Sequence, residues 1–133
     1  MKNFEDLIVF KRAVALMVDV YRTTETFPKD ERYGLTAQIR KASVSVVSHV
    51  AEGQGRLSLG EWRQFLSQAR GSLYEVQAQA IAAHELGFLE DQPYGELRVS
   101  IRRVASPLRG LIAYVRGRER KKTTRQPDNP TTG

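Results

Sequence analysis

Ala42-Ser43-Val44-Ser45-Val46-Val47-Ser48-His49-Val50-Ala51-Glu52-Gly53-Gln54-Gly55-Arg56 is a run of small and β-branched residues closed by a carboxylate, two glycines and an arginine. Small side chains on several sides of one helix let neighbouring helices approach closely, so the segment belongs at the middle of a helical assembly. Leu35, Ile39, Ala42, Val46 and Val50 form its main stripe, with Val44, Val47 and Ala51 alongside. Gly53 and Gly55 are expected to terminate it. Just upstream, Phe27-Pro28 closes a connection, and Asp30 and Glu31 suit the first turn of this helix.

Three more amphipathic segments surround it. The first opens after Asn3, an N-cap residue type with Asp6 three positions on. It carries one stripe of Leu7, Phe10, Val14, Met17 and Tyr21, and a second beside it of Val9, Ala13, Leu16 and Val20. One bundle core does not need so wide an apolar face, which points to a contact with another chain. The third helix begins at Ser58-Leu59-Gly60-Glu61, a capping box with Leu57 and Trp62 spaced for a hydrophobic staple. Trp62, Leu66, Ala69, Leu73, Val76, Ala80 and Ala83 then run to a stop at Gly87. Asp91 and Pro93 open the fourth, whose stripe is Tyr94, Leu97, Ile101, Val104, Leu108, Leu111 and Val115. Pro107 lies inside it and is expected to kink it, because its ring removes one backbone hydrogen bond. No strand signature interrupts the series. The expected fold is all-α, an antiparallel up-down-up-down four-helix bundle over residues 1–121. A polar C-terminal tail without apolar period, residues 122–133, is expected to be disordered.

A chain of 133 residues suffices for one domain with a single core. It has no cysteine, which excludes disulfides and thiolate metal sites and gives no sign of an oxidising compartment. Its first residues carry charge where a signal peptide needs an apolar core, and no apolar run approaches the ~20 residues that span a bilayer. The expected location is the cytoplasm, with no membrane partner.

The net charge of +6 is unevenly placed. Residues 1–92 hold 11 basic and 12 acidic side chains, whereas residues 93–133 hold 10 basic and 3 acidic. At ~100° per residue, Arg98, Arg102, Arg109, Arg116 and Arg120 fall within ~40° of one another, ~110° from the centre of the apolar stripe, along ~33 Å of helix. Guanidinium groups pair bidentately with phosphate oxygens, so the row reads as a nucleic-acid contact, with a solvated helix face as the plainer alternative. No aromatic ladder accompanies it, so stacking on single-stranded bases is not expected.

Several ordered motifs carry a family resemblance. Phe27-Pro28-x-x-Glu31-x-Tyr33-Gly34-Leu35-x-x-Gln38-Ile39-Arg40-Lys41-Ala42, then Ala51-Glu52-Gly53-x-Gly55-Arg56, then Gly71-Ser72-Leu73-Tyr74-Glu75 resemble the four-helix bundle proteins encoded in intervening sequences of bacterial large-subunit ribosomal RNA genes. The likeness runs from about Phe4 to about Tyr114, with His49 where the family usually has Asn and Lys41 where it often has a second Arg. It implies a ring-like homo-oligomer, a pentamer, without enzymatic activity. A related branch serves as the accessory protein of diversity-generating retroelements, where a basic pentamer binds nucleic acid and a reverse transcriptase. The likeness therefore implies RNA or DNA and a reverse transcriptase as partners.

Glu52, Gly53, Arg56, Gly71 and Glu75 are read as structural motif positions. Gly71 lies mid-helix, where glycine costs roughly 1 kcal/mol against alanine, so a close helix crossing is expected there. Glu52 and Glu75 are expected to satisfy backbone donors or to pair with Arg40 or Arg56 across helices. His49 and Glu52, three apart, offer a weaker metal reading, but bundle di-metal sites use Glu-x-x-His pairs and the order here is reversed and single. No metal or other cofactor is expected. Ser43, Ser45, Ser48 and Ser72 suit packing, His84 suits a helix C-terminus, and no nucleophile–base order can be read, so no catalytic residue is expected. The expected function is a non-enzymatic homo-oligomer whose basic surface binds nucleic acid; the alternative is a protein-interaction scaffold with an acidic partner.

Overall fold

The computed structural model describes residues 3–124, and these form four α-helices and two 3₁₀ turns with no strand among them. Helix α1 (Phe4–Thr23) starts where Asn3 is extended and its Oδ1 accepts the Asp6 N–H at 2.8 Å. At the other end Arg40 serves α1 from the next helix. Its Nε donates to the Thr24 hydroxyl at 2.8 Å and its Nη2 to the Tyr21 carbonyl at 3.3 Å, while Thr24 in turn donates to the Val20 carbonyl at 2.8 Å. Side chains thereby add donors to the carbonyls of the last turn of α1, where the helix leaves acceptors in excess.

The turns Thr24–Thr26 and Lys29–Glu31 lead into α2 (Leu35–Gln54). Asp30 and Glu31 thus precede α2 and do not form its first turn. Glu31 still caps it, because its Oε2 accepts the Leu35 N–H at 2.9 Å. A Cβ on Gly34 would sit 2.5 Å from that oxygen, so glycine keeps the cap in place. Helix α3 (Leu59–Glu85) begins on Ser58, whose hydroxyl accepts the Glu61 N–H at 3.1 Å. The staple does not form: Trp62 is buried, but Leu57 points away at 103% exposure. The helix ends in a Schellman turn, with Gly87 at φ +78°, its N–H on the His84 carbonyl at 3.1 Å and the Phe88 N–H on the Ala83 carbonyl at 2.9 Å.

Helix α4 (Asp91–Thr124) extends three residues into the expected tail, whose remainder, 125–133, lies outside the described residues. It runs unbroken through Pro107. The missing Pro107 N–H leaves the Arg103 carbonyl without its helical donor. The Arg12 Nη1 donates to that carbonyl at 3.1 Å from α1, a replacement supplied by tertiary structure.

Helix α1 packs on α2 and α4, and α3 packs on α2 and α4, so α1 and α3 lie on a diagonal. Contacts between partners run in reverse order: Arg12 meets Arg103 and Asp19 meets Ser100, while Arg63 meets Glu119 and His84 meets Asp91. The expected stripes of α3 and α4 form the core, apart from the half-buried Tyr94, and Ile39, Ala42, Val46 and Val50 of α2 join them.

In helix α1 the structure decides which of the two stripes is the core. Val9, Ala13, Leu16 and Val20 are fully buried, whereas Leu7, Phe10, Val14 and Met17 are half-buried and Tyr21 is exposed. Adjacent apolar stripes share one period, so periodicity cannot rank them. The compact residues occupy the crowded interior and the bulkier ones its margin.

An unfolding cycle tests the repair at Pro107. Arg12→Met is expected to lower stability by about 1 kcal/mol, the net value of one hydrogen bond. In a Pro107→Ala background, where the helical N–H returns, the same change should cost close to nothing. Equal costs in both backgrounds would remove the repair.

Candidate nucleic-acid interface

Helix α4 is continuous through Pro107, so the five arginines belong to one helix. Arg98, Arg102, Arg109, Arg116 and Arg120 are all exposed. Arg102, Arg109 and Arg116 make no ion pair among the described residues. Beyond Glu96 the helix contains one acid, Glu119, and its Oε1 accepts from the Arg63 Nε at 2.8 Å. That pairing ties α3 to α4, and Asp91, the acid at the start of the same flank, is contacted by His84.

The row lies toward α3. Arg98 and Arg102 line a shallow groove of about 140 Å³ with Gln77 and Ile81 of α3 and Tyr94 of α4. The Tyr94 ring is already engaged: His84 stacks on it at 4.1 Å and 11°, and the Arg98 guanidinium lies 5.6 Å from its centroid. His84 also reaches the Asp91 carboxylate through Nε2 at 2.7 Å, which fastens the end of α3 to the start of α4. Charge, not stacking, is what this surface offers.

The motif residues assemble elsewhere and differently from expectation. Gly53 is buried inside α2 and does not end it; Gly55 is the C-cap residue. A Cβ at Gly53 would lie 3.1 Å from Trp62 Cδ1 and 3.4 Å from Phe65 Cβ, so the close helix crossing is here. At Gly71 an added Cβ would meet nothing within 4 Å, and the residue is exposed. Glu52 and Arg56 face each other at 3.9 Å within one turn of chain and not across helices, an exposed pair of small energetic weight. The Arg56 guanidinium sits 4.5 Å over the Phe65 ring, and the His49 ring is 6.3 Å from it. Glu75 is exposed without an ion pair among the described residues, and Arg40 serves α1 as described above. The glycine–arginine motif thus seats the last turn of α2 on the first turns of α3.

Among the described residues no three ligand-type side chains gather as a metal site, and no helix is long and apolar enough to cross a membrane. Two contacts escaped sequence reasoning: Arg12 on the Arg103 carbonyl, and the Ser100 hydroxyl donating to Asp19 Oδ2 at 2.6 Å. Pro107 signals an orphan carbonyl four residues earlier, but nothing in the sequence says which side chain reaches it.

Fold and surface together define a small helical bundle with one basic flank. The chain matches the 23S rRNA-intervening sequence protein family over residues 5–110, and it belongs to that family. The matched span contains all the glycine and arginine motifs of α2 and α3, while Arg116 and Arg120 lie beyond it. No curated protein matches the chain.

The two glycines make opposite predictions. Gly71→Ala should raise stability by about 0.5–1 kcal/mol, because an exposed helical glycine only costs backbone entropy. Gly53→Leu should lower it by about 1–3 kcal/mol through overpacking against Trp62. Thermal unfolding of both variants decides; a destabilised Gly71→Ala would place an unseen contact at that position.

Proposed function

We propose that this protein is a non-enzymatic, self-associating bundle that binds nucleic acid through the phosphate backbone, along the arginine flank of α4. The observation that carries the reading is the set of five exposed arginines on one helix flank, with Glu119 held by Arg63 and Asp91 by His84. Over ~33 Å such a row meets several phosphates of one duplex without reading bases. Repetition around an oligomer multiplies the term. Self-association is supported by the half-buried margin of α1, together with Val44 and Val47 of α2, which are also only half-buried. Five copies in a closed ring is the number that the resemblance implies, and the reading places the protein in the cytoplasm.

The same apolar margin favours a second reading, a scaffold for another polypeptide. A reverse transcriptase is the partner that the resemblance supplies for it.

Replacing Arg102, Arg109 and Arg116 together with Gln separates the two. We expect duplex affinity to fall at least about tenfold for unrelated sequences alike. Melting temperature and oligomer mass by light scattering should stay unchanged, since exposed substitutions cost within about 0.5 kcal/mol each. Unchanged affinity in an intact oligomer would transfer the lead to the scaffold. A wild-type monomer at micromolar concentration would end the self-association reading.

A further inference from the structure

On the other flank of α4, roughly 120° around the helix from the arginine row, α1 and α4 enclose a second basic feature. Lys11, Arg12 and Arg103 line one open groove of about 280 Å³, with Asp19 and Ser100 beside them and Leu16 in its lining. Three cations share this groove with one acid. Asp19 accepts the Ser100 hydroxyl at 2.6 Å and forms no ion pair among the described residues. The excess positive charge is therefore not cancelled from within the chain.

Arg12 is held in place. Its Nη1 donates to the Arg103 carbonyl at 3.1 Å, the carbonyl that Pro107 leaves unserved, so one arm of the guanidinium is engaged before any ligand arrives. A fixed planar fork loses little entropy on binding an oxyanion, and its remaining N–H groups match the spacing of phosphate oxygens. Lys11 adds a mobile point charge, and Arg103 closes the α4 side. The groove falls below the ~300–1,000 Å³ of sites that bury a whole small molecule, and it suits a single phosphoryl group.

We infer that this groove is a phosphate-binding site in which Lys11, Arg12 and Arg103 take one phosphoryl oxyanion. The phosphate can come from a small phosphorylated molecule or from a nucleic-acid backbone. In the second case the site deepens the nucleic-acid reading and rests on it, because the strand then crosses α4 and does not follow one flank alone.

The test is an NMR titration of the full chain, following the Arg12 Nε–H resonance, with sodium chloride of matched ionic strength as control. Inorganic phosphate is expected to shift that resonance saturably. Lys11→Gln with Arg103→Gln should weaken the response at least about tenfold, the effect of removing charge-assisted hydrogen bonds. The Arg102, Arg109 and Arg116 to Gln variant should retain it. A second arm adds a duplex longer than the row. If the duplex also moves the Arg12 resonance, the backbone is a source of the phosphate; if only inorganic phosphate does, the ligand is a small phosphorylated molecule. Either result supports the site. It is overturned if neither probe shifts Arg12 beyond the chloride control, or if the Lys11/Arg103 variant responds as the wild type does. Failure of the nucleic-acid reading is registered separately, by unchanged duplex affinity in the arginine-row variant.

Discussion

The carbonyl of Arg103 has no backbone donor, because Pro107 occupies the position whose N–H would reach it, and the Arg12 guanidinium supplies one from the neighbouring helix. Much of the basic surface depends on that contact. Arg98 and Arg102 precede the proline, and Arg109, Arg116 and Arg120 follow it. The two groups share a flank only while α4 keeps ~100° per residue across the gap. A helix that broke there would turn three arginines away from the other two. The repair comes from α1 and so couples the surface to the packing, and the Ser100–Asp19 hydrogen bond at 2.6 Å adds a second tie between α1 and α4.

A second constraint acts at the opposite corner. Gly53 brings α2 against Trp62 and Phe65 of α3, and Arg56 closes the contact over the Phe65 ring. These residues lie inside the span that defines family membership, residues 5–110, and their role is architectural. The arginine row is distributed differently, because Arg116 and Arg120 lie past that span. The packing of α2 on α3 and the arginine flank of α4 are thus separable features of one molecule.

The sequence made the bundle legible because the stripes of α3 and α4 have a single apolar face each, and a helix with one such face can be buried in only one way. It left the choice open where two solutions shared a period: in α1 the Val9 stripe became the core and the stripe from Leu7 to Tyr21 the margin. Among the glycines, the close crossing read for Gly71 lies at Gly53, read as a stop, and Gly71 is open surface, because a glycine does not announce which of these it marks. Leu57 and Trp62 have staple spacing, yet only one of them is buried, since the burial of Trp62 is set by α2 and its Gly53 and not by the turn. The arginine row was legible as an alignment, because helical rotation is local. The groove of Lys11, Arg12 and Arg103 was not, because it joins residues 91 apart in the chain.

The central claim is that α4 presents one continuous phosphate-binding flank. Its most direct test is the salt dependence of wild-type affinity for a duplex of arbitrary sequence. Five arginines at about 0.9 released counterions per phosphate predict that log Kobs falls with log salt at a slope near −4 to −5 per bound chain. A slope close to zero, or binding that depends on sequence and ignores salt, would contradict the account.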